Sequence, residues 1–324
     1  MRTPSGPWVV AVVGPTAAGK SALAVQLAQR VGGEVINADA MQLYRGMDIG
    51  TAKLSMHERA GVVHHLLDIW PVTQSANVAE YQQRTRAAID ALLAAGVTPI
   101  VVGGSGLYVR AALDAMEFPG TDPAIRRTYE RELTAHGPYV LHRRLAQIDP
   151  AAALVILPSN GRRIVRALEV IELTGKPFPA KLRTPEPVYD TVYLGVDAVS
   201  AVLDERIDAR VRRMWRTGLV DEVQSLIQQG LREGPTAGRA LGYRQVLQLI
   251  DGELSEAEAI AATALRTRQF VRRQRSWFRR DTRINWLDGA REDLLEPAVQ
   301  LVALGPIPTQ PGQGGSVTQL RVVD

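Results

Sequence analysis

Eight consecutive residues near the start of the chain carry its strongest chemical signal: Gly14-Pro15-Thr16-Ala17-Ala18-Gly19-Lys20-Ser21. They match the spacing G-x-x-x-x-G-K-[ST] of a phosphate-binding loop. Glycines let backbone N–H groups curl around phosphate oxygens, and a helix starting at the lysine adds the positive end of its dipole. Lys20 supplies a point charge, and the Ser21 hydroxyl is the expected ligand for Mg²⁺. Such a loop does not choose a reaction, because kinases, hydrolases and other transferases share it. Companion residues at the same sheet edge must decide. Asp39 is the first of these, followed by Ala40-Met41-Gln42-Leu43-Tyr44. The run Gly103-Gly104-Ser105-Gly106-Leu107-Tyr108 is the second. A carboxylate beside a phosphate cradle binds Mg²⁺, acts as a general base or caps a helix, and the pattern alone leaves the three open.

The elements that must position these groups read as an α/β fold. Trp8–Val13 is a nearly continuous apolar run closed by Gly14-Pro15, as expected of a buried parallel strand. A helix pattern follows over Ser21–Val31, then strands over Glu34–Ala38 and Val97–Val102 with a helix over Asn77–Ala95 between them. This alternation implies a P-loop NTPase-like parallel sheet flanked by helices. From Gly120 the rhythm changes. Thr121-Asp122-Pro123 starts a helix, and helical patterns run to Thr174 without strands. Pro177, Pro179, Pro185 and Pro187 punctuate a loop, and Tyr189–Val196 reads as a strand returning to the sheet. Helices are expected over Ser200–Gln229, Gly242–Ile250 and Ser255–Arg280, and a last strand over Ile284–Leu287. The expected organisation is a catalytic core over residues 1–119 and 188–304, a helical insertion domain over 120–187, and a disordered Pro/Gly/Gln-rich tail over 305–324.

Composition narrows the classes further. With 46% hydrophobic and 22% charged residues, the 324-residue chain is ordinary for a folded protein. Its apolar runs fall far short of a membrane span. There are no cysteines, which excludes disulfide scaffolds, cysteine nucleophiles and thiolate metal sites. Met1–Pro7 has no basic stretch leading into an apolar core, so a cytoplasmic location is the expectation. Of 38 basic residues only four are lysine, Lys20, Lys53, Lys176 and Lys181. Arginine is a planar, permanently charged fork suited to phosphate and stacked bases, and with a pI near 9.5 it points to a polyanionic partner. The segment Arg266–Arg283 holds eight arginines and one acid, Asp281, with Trp277 and Phe278 interleaved. Arg268, Arg272, Arg275 and Arg279 recur at helical spacing and form one basic stripe, read as a phosphate-contacting face. The five histidines lack metal-ligand spacing and read as structural or surface residues.

The run Asp39-Ala-Met-Gln-Leu-Tyr44-Arg-Gly-Met-Asp48-Ile-Gly-Thr51-Ala-Lys53 closely resembles the signature of the bacterial tRNA dimethylallyltransferase (tRNA isopentenyltransferase) family. His64-His65-Leu-Leu-Asp68, Gly103–Tyr108, Arg166-Ala-Leu-Glu169-Val, Arg239-Ala-Leu-Gly242-Tyr243-Arg244-Gln and Thr267-Arg268-Gln269 with Arg272-Arg273-Gln274 are similar to that family in the expected order. The resemblance covers roughly residues 8 to 288. Two departures stand out: Ala40 replaces a frequent serine, and Asn160-Gly161-Arg162-Arg163-Ile164 replaces a common Asn-Asp-Pro-Gln-Arg run.

The resemblance implies transfer of a dimethylallyl group from its diphosphate to N6 of the adenosine 3′ to a tRNA anticodon, with release of pyrophosphate. It implies Asp39 as general base, Ser105 (often threonine in the family) as its hydroxyl-bearing companion, and Arg210 as the arginine that spreads charge on the leaving group. An unshifted Asp39 carboxylate suffices for that role, and Thr16 is expected to line the diphosphate site. Implied tRNA contacts are Asp39, Ala40, Met41, Gln42, Arg126, Arg162, Arg163, Arg166, Arg239, Arg244, Arg272, Arg275 and Arg279. Mg²⁺ on Ser21 is the implied cofactor. The implied partners are dimethylallyl diphosphate and the tRNA anticodon stem-loop, the latter contacted by the helical insertion, with no membrane and a monomeric state. Two other classes stay in view: an ATP-using small-molecule kinase, and an RNA-binding module with a vestigial P-loop.

Overall fold

Five buried apolar residues, Val9–Val13, form β1 and set the axis of the sheet. The computed structural model describes residues 8–179, 184 and 186–306; the N-terminal segment and the expected tail from residue 307 onward lie outside them. Strand β2 spans Gly33–Asn37, β3 His64–His65, β4 Thr98–Gly103, β5 Thr191–Asp197 and β6 Ile284–Asp288. They pair in one six-stranded sheet of order β3-β2-β4-β1-β5-β6. Every pairing is parallel; in β1, Val12 stands opposite Val102 on one side and Leu194 on the other. Burial on both faces explains why β1 lacks polar alternation.

The strand order fixes the site. Because β1 lies between β4 and β5, the loop leaving β1 is flanked by the turn after β4 on one side and the turn after β5 on the other. Ligands in open parallel sheets bind at such a crevice, beyond the carboxyl ends of the strands. Helix α1 (Lys20–Val31) follows β1, and α2 (Val78–Ala94) starts at Asn77, whose side chain accepts the N–H groups of Ala79 and Glu80. Helix α3 (Gly106–Leu113) and strand β3 are elements the periodicity does not announce, the first opening from a glycine-rich run and the second only two residues long.

Two compact units divide the chain, residues 1–113 with 187–324, and residues 114–186. The second unit contains α4 (Pro123–His136), α5 (Pro138–Ile148), α6 (Pro150–Val155) and α7 (Gly161–Thr174). Tyr129, Leu141, Leu145, Ile164 and Leu168 form its core. Glu169 is wholly buried there. It accepts from the Thr121 hydroxyl and the Asp122 N–H (3.2 Å) and pairs with Arg166 at 2.9 Å, so the charge is compensated and the start of α4 is fixed.

In the first unit, the single helix expected over Ser200–Gln229 is two: α8 (Ser200–Arg216) and α9 (Leu219–Ile227). Gly218 separates them at φ 100°, a left-handed conformation that stops α8 and lets the chain turn. Helix α10 spans Tyr243–Ile250, and α11 (Glu256–Phe278) starts with a Ser255–Glu258 capping box. Helix α12 (Leu295–Leu304), also unannounced by the sequence pattern, follows β6. Among the described residues no helix is long and apolar enough to cross a membrane.

Candidate active site

The phosphate loop adopts the conformation its sequence calls for. Gly14, Ala17 and Gly19 have φ of 135°, 66° and 102°. Such positive-φ residues shape a concavity of successive N–H groups. Gly14 has a second reason to be glycine, since a Cβ there would strike the carbonyl of Val196 in β5. Gly19 caps α1 without a side-chain hydrogen bond and no acid occupies the first turn, so the helix's positive end stays open to an anion. Lys20 Nζ folds back to donate to the Pro15 carbonyl at 2.6 Å. Burial, then the neighbouring Arg210 guanidinium, pulls its pKa down from 10.5 to about 8, against the pull of Asp39 and Asp197.

On the β2/β4 side stands Asp39. Its N–H donates to Asn37 Oδ1 at 2.9 Å, while Asn37 Nδ2 donates to the carbonyls of Asp39 (3.0 Å) and Leu66 (3.1 Å). The Tyr81 hydroxyl donates to the Asn37 carbonyl at 3.0 Å, which fixes that strand end from α2. Asp39 Oδ1 accepts the Met41 N–H at 2.9 Å, so the carboxylate also caps its own turn. Desolvation raises the Asp39 pKa above 3.8, opposed by the N–H groups of Met41 and Gln42 and by Lys20. The carboxyl is thus shifted upward, more basic than the unshifted group that would already suffice for the role. Ser105 Oγ accepts the Ala40 N–H at 3.2 Å rather than bonding the Asp39 carboxylate, and its own proton remains to be given. The hydroxyl thus supports the backbone beside Asp39. Gln42 Nε2 is tied to the Thr51 carbonyl at 3.1 Å. Lys53, whose side chain is 3% exposed, bridges Asp48 at 2.5 Å and Asp68 at 2.6 Å and closes the 39–53 loop from beneath.

On the β5 side stands Arg210, on α8. Its Nη1 donates to Thr16 Oγ1 at 3.1 Å, which joins the phosphate loop to the arginine expected at the leaving group. A cleft of about 580 Å³ opens there, lined by Ala17 and Gly19 of the loop and by Arg206, Arg210, Arg213 and Arg216 of α8. The Thr16 N–H, by contrast, is already given to Gln274 Oε1 at 3.0 Å, so this residue contributes a positioned hydroxyl rather than a free backbone donor.

The expected RNA-contacting residues divide into outward and committed groups. Arg272 is exposed on α11, Arg279 is exposed at its C-terminal cap while reaching Asp197 at 3.4 Å, Arg239 and Arg244 flank the start of α10, and Arg162 and Arg163 lie exposed at the start of α7. Arg275 departs from expectation. It is 13% exposed, its Nε donates to both Asp197 oxygens at 2.9 and 3.0 Å, and its Nη1 donates to Ser200 Oγ at 2.8 Å. It is a strut joining α11 to the β5–α8 junction. Arg268 likewise pairs with Asp208 of α8 at 2.5 Å, so only part of the basic stripe faces outward. In the helical unit, Arg166 also donates to the carbonyls of Pro119 (2.6 Å) and Gly120 (3.1 Å), and Arg126 is bound to Glu130 at 3.0 Å.

Sequence reasoning passed over Asn37 and Glu222, and it placed Gln274 in a matching run without giving it a role. Glu222 accepts the N–H groups of Asp48 (3.1 Å), Ile49 (2.7 Å) and Gly50 (3.2 Å) and the Tyr243 hydroxyl (2.5 Å). It thereby joins the Asp48-Ile-Gly and Gly242-Tyr243 runs, and a Cβ at Gly50 would strike the Tyr243 ring. A helical glutamate carries no local sequence signal for such a role. For a metal, the described residues offer no group of three His, Cys, Asp or Glu side chains. One hydroxyl, Ser21, beside a phosphate cradle fits Mg²⁺, which keeps waters and takes substrate phosphate oxygens as ligands.

A parallel sheet with a phosphate loop at its central strand, a carboxylate to one side and an arginine to the other, defines a P-loop α/β protein. The family model described as IPP transferase matches residues 42–281. The tRNA dimethylallyltransferase of Streptomyces avermitilis is 65% identical over 293 residues, covering 90% of this chain and 94% of that one. That of Salinispora tropica is 63% identical over 294 residues, covering 91% and 92%. Among solved structures, the tRNA isopentenylpyrophosphate transferase of Bacillus halodurans superposes with a TM-score of 0.66 at 37% identity, covering 92% of this chain and 94% of that chain. A eukaryotic dimethylallyltransferase acting on tRNA superposes with a TM-score of 0.78 at 26% identity, covering 94% and 81%. The chain belongs to the IPP transferase family.

Proposed function

We propose that this protein is a tRNA dimethylallyltransferase that moves the dimethylallyl group of dimethylallyl diphosphate to N6 of the adenosine 3′ to the anticodon. The single observation that carries the reading is the placement of Asp39 and Arg210 on opposite flanks of the phosphate loop, on the β2/β4 and β5 sides. The exocyclic amine attacks the allylic carbon, the carbon–oxygen bond to the diphosphate breaks, and pyrophosphate departs with the electron pair. Asp39 takes the proton released from the amine as the new carbon–nitrogen bond forms. The N–H groups of the loop, Lys20 and Arg210 hold the departing charge, and they bind it better in the transition state than in the substrate. Ser21 would hold Mg²⁺, whose contribution when bound is to neutralise diphosphate charge. The reacting base must leave its stack to reach Asp39. Exposed arginines on α7, α10 and α11 supply phosphate contacts for a polyanion.

The test is one incubation with unmodified tRNA, dimethylallyl diphosphate and ATP. Nucleoside mass analysis should find adenosine carrying a dimethylallyl group, with pyrophosphate released one-for-one and ATP untouched. Consumption of ATP with no pyrophosphate from the allylic donor would replace this reading by a kinase-like one.

A further inference from the structure

We propose that Gln274 is the positioning residue that holds the diphosphate loop in register with the acceptor side of the site, an inference that rests on the transferase reading above. Gln274 is buried on α11 and its side-chain amide faces two loops at once. Oε1 accepts the Thr16 N–H at 3.0 Å, and Nε2 donates to the Gly104 carbonyl at 2.9 Å. A primary amide offers a donor and an acceptor in one neutral planar group at every pH; an ionised carboxylate cannot donate, and lysine or arginine cannot accept.

Both ends of this bridge continue into the chemistry. Thr16 Oγ1 accepts from Arg210 Nη1 at 3.1 Å. Gly104 precedes Ser105, whose Oγ accepts the N–H of Ala40, the residue after Asp39, at 3.2 Å. A connected path of hydrogen bonds and peptide bonds therefore runs from the leaving-group arginine to the general base, with Gln274 at its middle. The glycines of the β4 turn serve the same contact. A Cβ on Gly104 would strike Nε2 of Gln274, and one on Gly106 would strike the Trp277 indole, so either would displace an α11 side chain from this contact.

The functional consequence follows from how each reactant is placed. The phosphate loop locates the allylic carbon through its diphosphate, whereas the turns after β2 and β4 locate the attacking amine. Alkyl transfer needs those atoms about 3–3.5 Å apart, and a displacement of about 1 Å costs on the order of 10²-fold in rate. Truncating the bridge should thus lower kcat rather than substrate affinity. Gln274→Ala should reduce the single-turnover rate at saturating substrates by roughly 10–100-fold, with the tRNA dissociation constant within about twofold of the unaltered protein.

Gln274→Glu supplies the readout that a purely structural role would not move. The replacement carboxyl can accept the Thr16 N–H in either state, but it donates to the Gly104 carbonyl only when protonated. The ratio of variant to wild-type rate should therefore climb as pH falls through the carboxyl pKa, while the Gln274→Ala ratio stays flat. Both variants and the wild-type protein are assayed by single turnover across pH, alongside thermal melts and tRNA binding. A wild-type rate in folded Gln274→Ala, or a flat ratio in Gln274→Glu, overturns the inference while leaving the transferase reading intact. Failure of the wild-type protein to alkylate tRNA removes that reading instead, and this inference with it.

Discussion

Lys20 offers a test in which the perturbation is a proton. Burial and Arg210 lower its pKa to about 8, so it is about nine-tenths charged at pH 7 and roughly one-tenth charged at pH 9. If the charged ammonium is what captures the diphosphate, kcat/KM for dimethylallyl diphosphate should fall about tenfold between those pH values. A bound diphosphate restores the charge to lysine, so the corresponding limb in kcat should lie at higher pH. The fold is not what fails over this range. A lysine whose folded pKa lies below its unfolded value penalises the charged form, so its contribution to stability rises as pH climbs from about 8 towards 10.5. Steady-state rates at saturating tRNA, with melts at each pH, measure both effects. In Lys20→Arg the alkaline limb should vanish, because the guanidinium stays charged. A wild-type profile flat through pH 9, or an unchanged limb in Lys20→Arg, would refute the reasoning.

Asp39→Ala should slow single turnover by about 10²–10⁴-fold while leaving tRNA affinity nearly intact; unchanged rates would remove Asp39 from the chemistry. Asp39→Asn should be inactive yet melt higher at pH 7, since a raised carboxyl pKa means that the ionised form is penalised in the fold above its folded pKa. That gain should fade as pH falls through the raised folded pKa and be gone below the unperturbed 3.8, which thermal melts across acidic buffers would show. Arg272→Ala or Arg279→Ala should reduce the salt dependence of tRNA binding by roughly one unit of slope per lost phosphate contact, read from binding curves in a salt series. Arg275→Ala should leave that slope alone and lower the melting temperature, because it leaves the half-buried Asp197 with only the longer, exposed Arg279 ion pair at 3.4 Å.

The parts of the fold that could be read from sequence were those with strong local physics. β1 and β4 are short apolar runs ended by glycine, and α11 starts at a capping box, so burial and hydrogen bonding within a few residues dictate them. The split at Gly218 was hidden because one glycine inside a long helical pattern is also compatible with an unbroken helix, and only packing decides. The site follows the same rule. The phosphate loop is contiguous and was legible, as was Asp39 at its strand end. Gln274 and Glu222 act across 170 or more positions of chain, on Gly104 and Asp48–Gly50 respectively, and nothing in their local spacing announces it. Arg275 shows the converse error: helical spacing grouped it with exposed arginines, although an acid at the end of β5 had already claimed it.

On the proposed reading, that acid bears on why Asp39 and not Asp197 serves as the base. Asp39 and Asp197 both act electrostatically on Lys20, and they lie on opposite flanks of the phosphate loop. Asp197 carries the Arg275 fork on both oxygens and accepts the Ala198 N–H, so its lone pairs are occupied and its charge is compensated. Among the described residues Asp39 makes no salt bridge; its carboxylate meets backbone donors and the electrostatic pull of Lys20. Desolvation without a paired cation raises its pKa, and a more basic carboxylate accepts a proton from an alkylated amine more readily. In the proposed mechanism, arginine pairing on the β5 side therefore leaves the proton-accepting role to the β2 side, while Lys20 and Arg210 remain to meet the diphosphate. The asymmetry comes from placement: two carboxylates at the carboxyl ends of strands differ in pairing because α11 delivers a guanidinium to one of them.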